Sequence, residues 1–280
     1  MVSPDPRPIA VFDSGVGGLT VLSEIRRRLP VESTMYLGDN ARTPYGPRPA
    51  DEVRRFTLES IAWLLAYDPK VLVLACNTAT AQALPLVREQ TPIPVIGVVR
   101  PGGVAAAAAT RSGHVGIVAT AGTVASDAYP AAIGEADPGV MVSQQACPDL
   151  VPLVEAGELT GPRAEAAVAG YLDELLAQDP DIDTLLLGCT HYPLLRPVFE
   201  RRLGPRVSVV DSAFTTALAL EDLLDALQAR SEGATGADGP NRVATTGDPE
   251  AFRAVAARLF GADLPVVEAV DLAPAEARAD

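Results

Sequence analysis

The sequence predicts an α/β protein of two similar parallel-sheet halves, related by pseudo-twofold symmetry, with a cleft between them. Three observations carry that prediction. Short apolar runs alternate with longer helical stretches along the 280 residues, as a parallel sheet flanked by helices requires. The run Val71-Leu72-Val73-Leu74-Ala75-Cys76-Asn77-Thr78 resembles Leu185-Leu186-Leu187-Gly188-Cys189-Thr190-His191, a repeat long enough to mark duplicated halves rather than a solenoid. In each copy a buried strand ends in a small residue and a cysteine, and a helix follows.

Taken in chain order, the expected strands are Ile9–Phe12, Met35–Leu37, Val71–Ala75 and Val95–Val98, then Val115–Ala119, Val140–Ser143, Thr184–Gly188 and Val207–Val210. Each is an apolar run of strand length bounded by turn residues. Helices are expected between them, Pro49–Ala66 and Pro162–Leu176 among them. Arg26-Arg27-Arg28 reads as the last turn of a helix, where cations complement the dipole. Residues 231–242, rich in Gly, Ala and Asp, read as an exposed loop. Val243–Thr245 and Pro265–Val270 supply two further strands around a helix at Pro249–Phe260, and the chain from Asp271 is a frayed tail. The expected domains are 1–98 with 209–270, carrying Asp13 and Cys76, and 99–208, carrying Cys189 and His191.

Bulk composition narrows the function. Apolar residues make up 48% and charged residues 21%, the balance of a soluble globular protein. A net charge of −14 argues against nucleic acid or an anionic membrane surface as partner. No apolar run approaches the roughly 20 residues that span a bilayer. Met1–Pro8 has neither the basic region nor the apolar stretch of a signal peptide, so the cytoplasm is the expected compartment. Three cysteines with no C-x-x-C pair make neither a disulfide framework nor a structural zinc site. The single lysine, Lys70, sits at the start of a strand beside Pro69, away from the strand ends where ligands bind in such sheets. It is a poor Schiff-base lysine, so amino-acid chemistry here is expected to proceed without pyridoxal phosphate; the further expectation of no cofactor at all comes with the resemblance given below.

Cys76 and Cys189 both stand at the carboxyl end of a strand, in equivalent places of the repeat. Facing halves would bring both thiols to one cleft from opposite sides. Each precedes an expected helix N-terminus, which lowers a thiol pKa from its free value of about 8.5. Inversion of a carbon acid needs one base to remove the proton from one face and one acid to deliver a proton to the other. A thiolate and a thiol exchanging roles serve both directions. His191, two residues after Cys189, can exchange a proton with it or hold it in place. Asp13, at the end of the first strand, is placed to assist Cys76. Cys147, in Ala146-Cys147-Pro148, has no neighbour that would stabilise a thiolate and reads as a small buried residue.

The loop Asp13-Ser14-Gly15-Val16-Gly17-Gly18 is neither of the two nucleotide-binding glycine motifs. Thr20 stands where the dinucleotide fingerprint needs its third glycine, and no Gly-Lys-Ser/Thr is present. What remains is a loop whose backbone N–H groups can approach a small anion such as a carboxylate. Asn77, Thr78 and Thr190 add amide and hydroxyl donors that would hold substrate and stabilise developing carbanion charge.

These segments together resemble the glutamate racemases, cofactor-independent enzymes that make D-glutamate for the bacterial cell wall. The resemblance rests on Phe12-Asp13-Ser14-Gly15-Val16-Gly17-Gly18-Leu19, Gly38-Asp39 with Pro44-Tyr45-Gly46, Ala75-Cys76-Asn77-Thr78-Ala79 and Gly188-Cys189-Thr190-His191-Tyr192-Pro193. It implies Cys76 and Cys189 as the acid/base pair, and Asp13, Ser14, Tyr45, Gly46, Asn77, Thr78, Thr190 and His191 in contact with glutamate. It also implies Glu155 as a carboxylate assisting His191, although spacing alone makes Glu155 a solvated helix residue. Thr120 and Thr123 match a loop that can reach the substrate. The resemblance further implies no metal and a homodimer. Histidine after the second Cys-Thr, where aspartate-racemase relatives carry an acid, points to glutamate. Arg100 and Asp149-Leu150 depart from the family pattern, away from the catalytic motifs.

Three other readings stay open. One is a racemase of another amino acid or a hydantoin. A second is a metal site or redox pair built from Cys76, Cys189 and His191. The third is a non-catalytic amino-acid-binding protein on the same two halves.

Overall fold

A computed structural model describes residues 4–231, 241–261, 264 and 266–272. Its strands are β1 (Ile9–Asp13), β2 (Thr34–Gly38), β3 (Val71–Leu74), β4 (Val95–Gly97), β5 (His114–Ala119), β6 (Met141–Ala146), β7 (Thr184–Gly188), β8 (Ser208–Asp211), β9 (Arg242–Thr245) and β10 (Glu268–Ala269). All pairings are parallel. They form a six-stranded sheet in the order β10-β9-β2-β1-β3-β4 and a four-stranded sheet in the order β6-β5-β7-β8.

The order 2-1-3-4 recurs as 6-5-7-8, so the duplication seen in the sequence is a duplication of topology. The larger sheet adds β9 and β10 beyond β2. β1, β2, β3 and β7 are buried along their whole length. Parallel strands covered by helices on both faces read as unbroken apolar runs, which is why β3 (Val-Leu-Val-Leu) and β7 (Thr-Leu-Leu-Leu-Gly) do not alternate.

The helices are α1 (Leu19–Arg28), α2 (Ala50–Leu65), α3 (Asn77–Gln90), α4 (Val99–Ala109), α5 (Ala121–Val124), α6 (Ala128–Ala136), α7 (Leu150–Glu155), α8 (Pro162–Gln178), α9 (Arg196–Leu203), α10 (Ser212–Ala226) and α11 (Pro249–Phe260). Their starts follow local chemistry. The Asp211 side chain accepts from the Ala213 N–H at the head of α10. Asp248 does the same for Ala251 at α11, whose first residue is Pro249. Arg26, Arg27 and Arg28 do form the last turn of α1. α10 packs against both α1 and α4 and so ties the two sheets together.

Two expectations need adjustment. The second domain was expected to end at residue 208, but β8, the expected strand Val207–Val210, pairs with β7 as far as Asp211, because Val209 and Val210 belong with that sheet's apolar edge. The expected strand Pro265–Val270 is only Glu268–Ala269 among the described residues, and Pro265 lies outside them. The expected loop over 231–242 and the tail beyond Asp271 lie almost wholly outside the described residues. Among those residues, no helix is long and apolar enough to cross a membrane.

Candidate active site

The carboxyl ends of the strands of both sheets open onto one cavity of about 200 Å³. β1 contributes Ser14, β2 the loop Thr43 to Pro47, and β3 Cys76, Asn77 and Thr78. From the other sheet, β5 contributes Thr120 and Ala121, β6 Cys147 and Pro148, and β7 Cys189, Thr190 and His191. Ligands of open α/β sheets bind at strand carboxyl ends, and here equivalent ends from two sheets line one cavity. Among the described residues, no lysine or arginine lines the cavity. An anionic substrate would therefore meet hydroxyl, amide and imidazole donors.

Cys76 caps α3. Its sulfur accepts from the Ala79 N–H at 3.4 Å and lies 3.4 Å from the Ser14 hydroxyl. The helix terminus does not win: burial, with the charge of Asp13 adding to it, pushes the Cys76 thiol up to about 12. The expected lowering by a helix N-terminus is thus overridden, since desolvating a thiolate outweighs one N–H and one hydroxyl. Cys189 differs also in its setting. It is followed by a short 3-10 turn, Tyr192–Leu195, and α9 begins only at Arg196, so it does not cap an α-helix.

Behind Cys189 stands a chain of contacts. Its sulfur lies 3.9 Å from His191 Nδ1, and His191 Nε2 lies 2.9 Å from Glu155 Oε1 at the end of α7. Burial disfavours the imidazolium, but the contacts to Cys189 and Glu155 prevail and push His191 up to about 10. Glu155 is therefore not the freely solvated residue that its spacing suggests. It does not line the cavity and reaches it only through His191.

Asp13 is fully buried and also lies outside the cavity lining. Its Oδ2 accepts from the Gly15 N–H at 2.9 Å, while Oδ1 has no hydrogen-bond partner. Burial raises its pKa, against the opposing influence of His191. The glycine loop was expected to offer N–H groups to a ligand carboxylate; the carboxylate it holds is Asp13 itself. Gly18 follows from that closeness, because a Cβ there would stand 2.4 Å from Asp13 Cβ. Gly17 is required for another reason. A Cβ there would meet Thr190 Oγ1 at 2.4 Å and the His191 ring at 2.5 Å, so this loop from one half lies directly against the Cys-Thr-His segment of the other.

The remaining expected residues converge on the cavity. Thr78, Thr120 and Thr123 form a buried hydroxyl cluster across the halves, with Thr78–Thr120 at 2.8 Å, Thr120–Thr123 at 3.0 Å and Thr78–Thr123 at 3.3 Å. Gly46 O accepts from the Gly122 N–H at 2.8 Å. Tyr45 lines the cavity, but its hydroxyl is turned away to the buried Asp39 carboxylate. Asn77 Nδ2 donates to Tyr129 Oη at 2.7 Å and its Oδ1 is unpartnered.

Sequence reasoning did not single out Asp39 or Tyr129, which hold Tyr45 and Asn77. It also set aside Cys147, which lines the cavity and whose thiol burial pushes up. The expected strand stopped at Ser143, three residues short of the Ala146 end of β6, so the strand-end rule did not reach Cys147-Pro148. Lys70 lies away from the cavity, bound to Glu32 at 2.5 Å and to two backbone carbonyls. The three cysteines are free thiols. Cys76, Cys189 and His191 do not bring one ligand atom each within 4.8 Å of one another, which disfavours a shared metal.

Fold and cavity together define a duplicated α/β enzyme whose cleft carries a thiol in each wall. The sequence model of the Asp/Glu/Hydantoin racemase family matches residues 17–220. The chain is 49% identical over 251 residues to a glutamate racemase of Shouchella clausii, covering 90% of this chain and 89% of that one. Among solved structures it resembles a glutamate racemase of Bacillus anthracis, with TM-score 0.90 and 42% identity over 95% of this chain and 98% of that one. It also resembles a glutamate racemase of Francisella tularensis in complex with D-glutamate, with TM-score 0.88 and 32% identity over 96% and 98% of the two chains. The chain belongs to the Asp/Glu/Hydantoin racemase family and is a racemase.

Proposed function

We propose that this racemase interconverts L- and D-glutamate by a cofactor-independent, two-base reaction in which Cys76 and Cys189 act on opposite faces of the α-carbon. The observation that carries the reading is the pair of cysteines from topologically equivalent strand ends in the walls of one cavity. One sulfur, as thiolate, takes the α-proton while the other, as thiol, supplies a proton to the opposite face, and the roles reverse for the other enantiomer. Cys76 sits with Ser14 beside it and Asp13 behind it; Cys189 has His191 beside it and Glu155 behind that. Burial keeps Cys76 protonated in the free site. The ammonium group of a bound amino acid would bring an opposite charge beside the sulfur and so favour the thiolate when substrate is present.

Ser14, Tyr45, Gly46, Asn77, Thr78, Thr190 and His191 are proposed to hold the substrate, and Asp13 and Glu155 to act through Cys76 and His191. The two sheets with their helices are proposed as two domains, with the return crossing after Asp211. The names of the relatives support glutamate as substrate; a cytoplasmic supply of D-glutamate for peptidoglycan and a homodimeric assembly are proposed with it. Incubation with L-glutamate in deuterated water should yield D-glutamate carrying α-deuterium without added cofactor. Cys76→Ser and Cys189→Ser should each lower the rate by about 10²-fold or more. Racemisation that survives either substitution would refute the two-base assignment, and a substrate panel with aspartate and a hydantoin checks the choice of glutamate.

A further inference from the structure

Asn77 borders the cavity next to Cys76, at the head of α3, yet its amide nitrogen is engaged behind the wall. Nδ2 donates to Tyr129 Oη at 2.7 Å and to Ser212 Oγ at 3.4 Å. A primary amide has two N–H donors and one carbonyl acceptor, so both donors are committed and only the carbonyl is left over. That oxygen, Oδ1, is buried and has no hydrogen-bond partner among the described residues. A buried acceptor is costly to leave unpaired, and the space that Asn77 borders is the substrate cavity.

Tyr129 itself takes no part in the cavity wall. It is fully buried on α6, in the other half of the molecule, and its ring is clamped between helix and sheet. A Cβ on Gly102 of α4 would stand 3.4 Å from Tyr129 Cε1, and one on Gly188 of β7 would stand 2.9 Å from Cε2. Gly188 is the residue before Cys189. The ring therefore rests against the strand end that carries one thiol, while its hydroxyl holds the amide beside the other.

We propose that Tyr129 is a positioning residue for substrate recognition: by holding the nitrogen end of the Asn77 amide, it turns the carbonyl oxygen to the α-ammonium group of the bound amino acid. The inference rests on the glutamate racemase reading above. Glutamate with both carboxylates ionised carries hydrogen-bond donors on its ammonium group alone, so a free acceptor in this wall has one match on the substrate. The ammonium is charged before, during and after proton transfer. Its contact with Oδ1 is therefore uniform binding, which lowers KM and leaves kcat alone.

Tyr129→Phe removes the hydroxyl and keeps the ring against Gly188. KM for glutamate should rise about 10-fold, as for a lost hydrogen bond to a charged group, with kcat within about threefold of wild type. Glutarate, the same dicarboxylate without the amine, should inhibit Tyr129→Phe and wild type with the same constant. In the Asn77→Ala background, Tyr129→Phe should change KM by less than about twofold, since Tyr129 acts through Asn77. Ser212→Ala, which removes the other oxygen at Nδ2, should raise KM about threefold and likewise spare glutarate inhibition. Wild-type KM in folded Tyr129→Phe, or in Ser212→Ala should Tyr129→Phe not fold, would overturn the proposal. So would equal weakening of glutamate and glutarate, which would mean that the amide shows its N–H2 end to a carboxylate. A loss that adds in full to that of Asn77→Ala would do the same, as the mark of a purely structural tyrosine. Each of these outcomes leaves racemisation by the wild type intact; a wild type that does not racemise glutamate would instead remove the reading on which the proposal rests.

Discussion

Gly17→Ala adds one methyl group at a point where the two halves touch. The new Cβ would stand 2.4 Å from Thr190 Oγ1 and 2.5 Å from Cε1 and Nδ1 of His191, against ordinary contacts of 3.4 Å or more. Something must move by about 1 Å. Thr190 is buried and so is His191, whose Nε2 is tied to Glu155 at 2.9 Å, and the space both side chains border is the substrate cavity itself, so either can yield only at the expense of the site. If the ring turns, its approach to the Cys189 sulfur is lost; if the loop retreats, Ser14 leaves Cys76. Overpacking of this kind costs about 1–3 kcal/mol of stability. A displacement of about 1 Å at reacting groups costs on the order of 10²-fold in rate. The assay is polarimetric racemisation of L-glutamate alongside a thermal melt. The expected result is a folded protein with its melting temperature lowered by several degrees and its kcat/KM reduced about 10²-fold. A Gly17→Ala enzyme within threefold (roughly 0.6 kcal/mol) of wild-type activity would refute the claim that this loop fixes the Cys-Thr-His segment.

Other consequences are equally direct. The folded-state pKa of His191, about 10, lies above its ordinary value of 6.5, so the folded state holds that proton more tightly. The stability this contributes is complete below pH 6.5 and is lost as pH rises through 10. The melting-temperature gap between wild type and Glu155→Gln should therefore narrow from about pH 6 to about pH 10, and a constant gap would contradict the coupling. Thr120→Val removes the hydroxyl that joins Thr78 to Thr123; chemical denaturation should show a loss of about 1–3 kcal/mol, with a raised KM for glutamate. Lys70→Met leaves Glu32 as an unpaired buried charge, which should cost about 3–5 kcal/mol. The activity of the molecules that remain folded should be unchanged, because Lys70 takes no part in the cavity.

The strands were legible because parallel strands buried on both faces leave unbroken apolar runs, and β7 (Thr184–Gly188) was read to the residue. The duplication was legible because Cys76 and Cys189 end equivalent strands. Glu155 and Tyr45-Gly46 were reached only by resemblance, since a glutamate at a helix end and a tyrosine between prolines have no local mark of function. Tyr129 escaped notice and Asp39, though part of a quoted motif, was given no role, their bonds to Asn77 and Tyr45 being made across the two halves and across a loop.

The sequence by itself determined the fold class, the equivalence of the two halves and the two strand ends that carry thiols. These depend on periodicity and on chain order, which are local properties. Only the tertiary structure decided the state of those thiols and what stands behind each. A helix N-terminus next to Cys76 reads as an activating feature in sequence. In the folded chain the sulfur is buried beside Asp13, and desolvation reverses the expected direction. The His191–Glu155 contact likewise joins residues 36 positions apart. Burial and through-space charge depend on which distant segments are packed together, and no window of sequence contains them.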